Sequence, residues 1–287
     1  MNTTTFRRAA VAGGSLIAVT ALAFTCAAGA QAAPSAPALI GTQGTALSAS
    51  LHLDPTAVRT TQLFAAWAPG SPAVITKSAN ESSVLPSQTL LTAGVAASSV
   101  VVRKKSAYSC SGLLGRGGTV QVGDGTICKA VNPVAPGVKV DLSSLLSSLP
   151  VGVGGLSITA SAITASAVYV NGEFRGAGRV INAALSVCLG VTLNGACVVA
   201  PVSVPLKLAG VANEDVLPVI TQALTASPQL KSVATSITNL LRPVVAIRAN
   251  AQGFSHQQKI VVGLQVSLLQ RSAFANLAVA QAGPRVA

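Results

Sequence analysis

The sequence predicts a mainly β protein, sandwich-like antiparallel sheets with a helical insertion at about residues 213–242, behind an export signal. From Leu90 onward the chain runs in short stretches of Val, Ser, Thr and Ala separated by Gly and Asn, the texture of strands joined by tight turns. Half of the residues are hydrophobic but only 3% are aromatic, so the core has to be built from Val, Leu, Ile and Ala. The β texture breaks between residues 213 and 242, where apolar residues recur at helical spacing.

Residues 1–32 read as a secretory signal peptide. Arg7 and Arg8 supply its positive start, Val11 to Phe24 its apolar run, and Ala30-Gln31-Ala32 an A-x-A cleavage site. The run is too short and too rich in Gly and Ala for a spanning helix, which needs roughly 20 apolar residues. A mature chain beginning near Ala33, secreted or associated with the cell wall and without a transmembrane segment, is therefore expected. Lipid anchoring through Cys26 fits poorly, because Phe24 and Thr25 stand where a lipobox has small residues.

Residues 33–83 are expected to hold a lead-in and the first elements, and residues 84–287 the β-rich domain with its insertion. The lead-in, 33–50, is rich in Ala, Pro, Ser, Thr and Gly and reads as flexible linker. Asp54-Pro55 then offers an N-cap and a first helical proline, opening a short helix toward Trp67. A strand through Ala57 to Ala66 is the alternative, since Val, Thr, Leu and Phe are strand formers. The clearest unit is a hairpin about Asn171-Gly172, a pair that supplies the two positive φ angles of a type I′ turn. That turn sets Tyr169 opposite Phe174, Ala167 opposite Gly176, Ala165 opposite Gly178 and Ile163 opposite Val180. One face is then apolar and the other mixed and charged. Thr92-Ala93, Ala97-Ser98 and Val100 to Val102 also echo Thr159-Ala160, Ala165-Ser166 and Val168 to Val170, with one residue of slippage. In the insertion, Asp215 can cap a helix with Pro218 in its first turn. Ser227-Pro228 opens a second helix with Leu230, Val233, Ala234, Ile237, Leu240 and Leu241 on one stripe, and Pro243 ends it. Strand-like alternation returns in Lys259–Leu269 and Phe274–Ala280.

Beyond the leader lie Cys110, Cys128, Cys188 and Cys197, an even set that in an oxidising compartment predicts two disulfides. Three connectivities are possible. Pairing sequence neighbours, Cys110 with Cys128 and Cys188 with Cys197, closes the shortest loops and is the expectation. It collides with a second Asn-Gly pair, Asn194-Gly195, whose turn would set Cys197 opposite Thr192. A zinc site is the alternative, but neither pair has C-x-x-C spacing and neither histidine is nearby, which disfavours it.

Chemistry is sparse. Without Arg7 and Arg8 there remain 17 Lys and Arg against 7 Asp and Glu, a net +10. This excess reads equally as attraction to anionic partners such as wall polymers or as a device that keeps a secreted protein soluble. So few aromatics argue against nucleic-acid binding and against a carbohydrate cleft. No G-x-S-x-G elbow is present, and nothing pairs the acids for glycosidase work. His52-Leu53-Asp54 and Ser255-His256 are the remaining candidates for a secreted hydrolase whose site is assembled from distant residues. Gly115-Arg116-Gly117-Gly118 reads as a disulfide-pinned turn rather than a phosphate cradle. Arg103-Lys104-Lys105, at the end of the Val100–Val102 strand, is the one charge run; a solvated strand end is its commoner explanation, and a contact for anionic polymer the alternative.

Three segments, Leu90–Val95, Ile158–Val180 and Gly263–Leu269 followed by Leu277–Ala280, resemble the choice-of-anchor P family of secreted and cell-surface proteins from high-GC Gram-positive bacteria. That resemblance implies a β-rich exported domain without assigned enzymatic activity, held at the envelope by a C-terminal device. The tail, Gln281 to Ala287, departs from the family in having no L-P-x-T-G-like signal and no hydrophobic or basic anchor. The expectation is thus a structural or binding protein of the cell surface, not an enzyme, needing no cofactor, released or retained by charge on anionic wall polymers or surface proteins.

Overall fold

Alternation of small apolar and hydroxyl residues, with tight turns between, produces the strands that follow. The computed structural model describes residues 39–53, 56–82, 89–122, 128–132, 137–143, 152–190, 192–193, 196–198, 200–269 and 273–286. The signal sequence and Asp54-Pro55 lie outside the described residues. The first elements are β1 (Leu39–Leu53), β2 (Thr56–Arg59), β3 (Gln62–Trp67) and β4 (Val74–Glu81). Next come β5 (Leu91–Ala93), β6 (Val95–Arg103), β7 (Ser106–Leu114), β8 (Thr119–Val122), β9 (Cys128–Val131) and β10 (Val138–Asp141). Then β11 (Val153–Ala160), β12 (Ala162–Val170), β13 (Glu173–Ile181), β14 (Ala184–Leu189), β15 (Thr192–Leu193), β16 (Ala196–Cys197), β17 (Val202–Pro205) and β18 (Glu214–Asp215) lead into the insertion. Helices α1 (Val216–Ala226) and α2 (Lys231–Leu241) precede β19 (Val245–Ser255), β20 (Gln258–Leu268) and β21 (Phe274–Val286).

The expected sandwich is present, with its helical insertion. A seven-stranded sheet runs β18-β19-β20-β21-β1-β2, with β3 also on β1. One face of it meets a five-stranded sheet, β13-β12-β7-β6-β4. A further sheet, β17-β14-β11-β10-β5, continues the second layer, because β5 passes into β6 at Gly94, β11 into β12 at Ser161 and β13 into β14 at Asn182 and Ala183. All pairings are antiparallel, so each strand buries alternate residues.

Two expectations for the N-terminal region are corrected. Residues 39–50 are not linker but most of β1, which pairs from Leu39↔Val286 to His52↔Phe274. Its small, polar residues suit a strand that lies between two partners, and Ala46 and Ala49 are fully buried there. The helix toward Trp67 is not formed either. Its residues make β2 and β3, paired to β1, so β-branched and aromatic content prevails over the capping signal.

The Asn171-Gly172 hairpin has the expected register at every position, from Val170↔Glu173 to Ala162↔Ile181. Asn171 and Gly172 take φ of 50° and 95°. The echoed segments flank common strands: Thr92 and Thr159 both oppose Lys139, Ser98 and Ala165 both oppose Ser111, and Val102 and Tyr169 both oppose Ala107. Their structural correspondence therefore runs without the slippage that the sequence match needed.

Both disulfides join sequence neighbours, Cys110–Cys128 and Cys188–Cys197. The first ties the β8–β9 hairpin over the outer face of β7 and β12, where Ala97, Cys110, Leu114, Val120, Cys128 and Ala162 form a separate small core. The second coexists with the pairing Thr192↔Cys197. The bridge returns to Cys188 in β14, outside the small hairpin, so an irregular loop removes the conflict; Asn194-Gly195 itself lies outside the described residues.

Asp215 caps α1, its carboxylate accepting from the N–H of Leu217. α2 begins at Lys231, later than Ser227-Pro228 predicts, because Ser227 closes α1 and its carbonyl accepts from Leu230 and Lys231. The expected stripe is on the buried side, with Leu230, Ala234, Ile237 and Leu241 in the main core.

Candidate functional site

The β turns gather one end of the sandwich. At that end lie Leu39 of β1, Val286 of β21, Trp67 of β3, the two-residue turn Lys104-Lys105 between β6 and β7, the Asn171-Gly172 turn, and the His256-Gln257 turn between β19 and β20. Side chains and backbone tie these connections together. Thr42 Oγ1 donates toward the carbonyls of Arg103 (2.6 Å) and Ser106 (3.1 Å), anchoring the lysine turn to β1. The Asn171 N–H donates to the Lys105 carbonyl at 3.0 Å, so the two neighbouring turns hold each other.

The predicted contact residues, Arg103, Lys104 and Lys105, are all exposed here. Arg103 lies over the Tyr108 ring, 5.6 Å from its centroid, a cation–π distance. Arg175, Lys259 and Arg285 come from other strands to the same end. Lys259 Nζ sits 4.9 Å from the centroid of Phe254. Against these cations stands one carboxylate among the described residues of this end, Glu173, which pairs with Arg175 at 3.0 Å. Six of the 17 Lys and Arg beyond Arg7 and Arg8 thus share one pole, where exposed charges act on solution partners at about the Debye length.

Aromatic residues collect at the same pole. Tyr169 and Phe174 are 5.0 Å apart between ring centroids, and Phe174 meets Phe254 edge-on at 5.2 Å. Trp67, the only tryptophan of the chain, donates its indole N–H to the carbonyl of Pro72 at 2.9 Å. A cleft of about 650 Å³ opens between Trp67, Tyr169, Lys104 and Lys105, floored by Gly41 and Thr42. Leu39 and Phe254 stand in solvent nearby, 64% and 62% exposed, which gives this pole apolar surface beside its charge.

Neither Trp67 nor Tyr169 is singled out by the sequence, whose few aromatics argue against any aromatic platform. What composition misses is placement. Residues from β1, β3, the β6–β7 turn and the β12–β13 turn converge only in the folded chain. The Asn171-Gly172 turn is the one local signal that could have found them, because it fixes Tyr169 at a hairpin tip.

Two other clefts lie away from this pole. A groove of about 1100 Å³ runs between α1 and β19, lined by Asn213, Asp215, Thr221, Gln222, Arg242 and Arg248 among others. It is the larger, yet it lacks aromatic walls and mixes both signs of charge. The other, about 550 Å³, lies on the outer face of the β10-β11-β14-β17 sheet, where Asp141, Ser157, Ser186 and Ser203 form a row across four strands. Lys139 pairs with Asp141 there at 3.5 Å.

The histidines of the rival hydrolase reading do not meet. His52 stacks on Phe274, ring centroids 5.4 Å apart, and opposes it in the β1–β21 ladder. His256 occupies a tight turn at φ 47° and hydrogen-bonds through Nδ1 to Ser255 Oγ at 3.0 Å. That turn lies against Gly283, which opposes Gln43, so along β1 it is nine residues from His52, roughly 30 Å at strand rise. Neither lines any of the three clefts. Glu214 accepts from the N–H groups of Ala209 and Gly210 and serves the chain's local structure. Among the described residues no three His, Cys, Asp or Glu side chains cluster to hold a metal, and no helix is long and apolar enough to cross a membrane. Compared with protein-family models, with curated proteins and with solved structures, the chain matches none.

Proposed function

We propose that this protein is an exported structural or binding component of the bacterial cell surface, retained by charge on anionic wall polymers rather than acting as an enzyme. The carrying observation is the basic pole: Arg103, Lys104, Lys105, Lys259 and Arg285 converge from four strands and turns, with Glu173 already engaged by Arg175. A cluster of cations faced by a single carboxylate that is already paired favours a directed contact with a polyanion. The export signal read in residues 1–32 supports the location.

Washing cells or isolated wall fragments with rising salt tests this. Retention should fall steeply with salt, because screened cations lose their hold on a polyanion. The triple variant Arg103→Ala, Lys104→Ala, Lys105→Ala should elute at lower salt than the parent, whereas His52→Ala, at the opposite end of β1, should elute with it. Retention that survives high salt, or a triple variant that behaves like the parent, would refute charge as the anchor.

A further inference from the structure

We propose that the cleft between Trp67, Tyr169 and the Lys104-Lys105 turn binds one sugar phosphate unit of such a polymer, an inference that rests on the charge-retention reading and sharpens it. At about 650 Å³ the cleft has the volume of small-molecule sites, which run from about 300 to 1,000 Å³. Its walls divide by chemistry. Trp67, partly buried, offers a flat apolar surface suited to the C–H face of a sugar ring, and Tyr169, buried in the core against Phe174, backs the wall beside it. Lys104 and Lys105 bring two adjacent ammonium groups, and among the described residues no carboxylate lines the cleft, so a phosphate ester meets attraction there.

The parts are held in place before any ligand arrives. The Trp67 indole is fixed by its bond to the Pro72 carbonyl, and Tyr169 by its contact with Phe174. The lysine turn is clamped from two sides, by Thr42 and by the Asn171 N–H. Ordering costs on binding are therefore confined to the two lysine side chains, which favours affinity from a small contact. A polyanion bound by diffuse charge alone would need neither the indole nor the cleft; their coincidence with the lysine turn points to recognition of the repeating unit itself.

Trp67 is the chain's single tryptophan, so its emission reports this cleft directly. Titrating the mature protein with glucose 1-phosphate should give a saturable change in Trp67 emission, and glucose alone should give none. Lys104→Gln with Lys105→Gln, exposed turn positions that leave the fold intact by circular dichroism, should weaken the response at least about tenfold. Calorimetry on Trp67→Phe, which keeps an apolar wall, should show weakened binding as well. An equal response to inorganic phosphate, a response only to phosphatidylglycerol vesicles, or silence toward every probe would each overturn the sugar phosphate pocket. The salt-wash assay on the same preparations separates the two ideas. Protein retained by charge while Trp67 stays silent sinks the pocket alone, and protein that fails to be retained sinks the reading beneath it.

Discussion

The two halves of the sandwich are built from different residues. Where β1, β20 and β21 face β6, β7, β12 and β13, the contact is made largely by Gly, Ala and Ser: Ala46, Ala107, Ala165, Ala167, Ala280 and Ala282 are fully buried, and hydroxyls reach across the layers. Ser48 Oγ donates to the Ala97 carbonyl at 2.9 Å and Ser109 Oγ to that of Gln281 at 2.6 Å. Around α1 and α2 the buried residues are large: Ile220, Leu224, Leu230, Ile237 and Leu241, with Leu142, Leu156 and Leu185 also in the main core. The first half gains stability from close backbone approach and cross-layer hydrogen bonds, the second from apolar area at about 1.5–3 kcal/mol per large side chain. The small-residue half is the one that carries the basic pole, and its rigidity holds the turns that shape the cleft.

If that contrast is right, the halves should fail in opposite ways. The largest effect belongs to Gly178→Val. A Cβ at Gly178 would stand 2.8 Å from Asn250 Cα and 2.9 Å from the Val262 carbonyl oxygen, backbone atoms that cannot step aside. Expression should yield no cooperatively folding protein, since overpacking against fixed backbone exceeds the usual cost of about 1–3 kcal/mol. Near-native melting of this variant would mean that the layers are free to separate. In the other half truncation is the sensitive change: Leu224→Ala should cost about 2–5 kcal/mol in urea unfolding, the range for a buried leucine leaving a cavity.

Asn250 joins the two halves at one residue. It is buried, holds φ at 49°, accepts from the Gly178 N–H at 2.7 Å and donates to the Gly210 carbonyl at 2.9 Å. It thereby ties β13, the edge of one sheet, to β19 and to the chain entering the insertion. Asn250→Gly keeps the backbone conformation available but removes the partner of the Gly178 N–H and the Gly210 carbonyl, and an acceptor of Gln252 Nε2, so a loss of about 2–3 kcal/mol is expected in the same unfolding assay. A neutral result would show that β13 is held by its ladder with β12 alone.

The same contrast explains what could be read from the chain. The hairpin from Ala162 to Ile181, both disulfides and the Asp215 cap are local devices, set by residues close in sequence, and all were legible. β1 was not, because Thr, Ser, Ala and Gly make the same composition in a linker as in a strand buried between small residues. Its partner β21 lies at the far end of the chain, so nothing local marks the burial. The candidate site follows the same division. Arg103, Lys104 and Lys105 are contiguous and stand out, whereas Trp67, Tyr169, Lys259 and Arg285 reach the pole through separate pairings that no short window contains.

The smallest effect should be a gain, at Ser111. This residue sits in the small-residue interface, opposite Ser98 on β6 and Ala165 on β12, and is fully buried. Ser98 has a partner in Ser48, at 2.9 Å between hydroxyl oxygens, but Ser111 Oγ is the one buried side-chain polar atom among the described residues that makes no hydrogen bond. An unmade bond leaves the hydroxyl's desolvation cost uncompensated, about 1–3 kcal/mol. Ser111→Ala removes that cost, and alanine already fills the equivalent position across the ladder at Ala165. The small void left by the lost oxygen offsets part of the gain, so a net stabilisation of about 0.5–1 kcal/mol is expected, read as a higher urea midpoint with an unchanged slope. The matched change Ser109→Ala should go the other way by about 1 kcal/mol, because that hydroxyl is bonded to Gln281 across the layers. Equal effects at the two positions would show that the hydroxyls of this interface are tolerated for their size alone, and that hydrogen bonding between the layers adds nothing to their close approach.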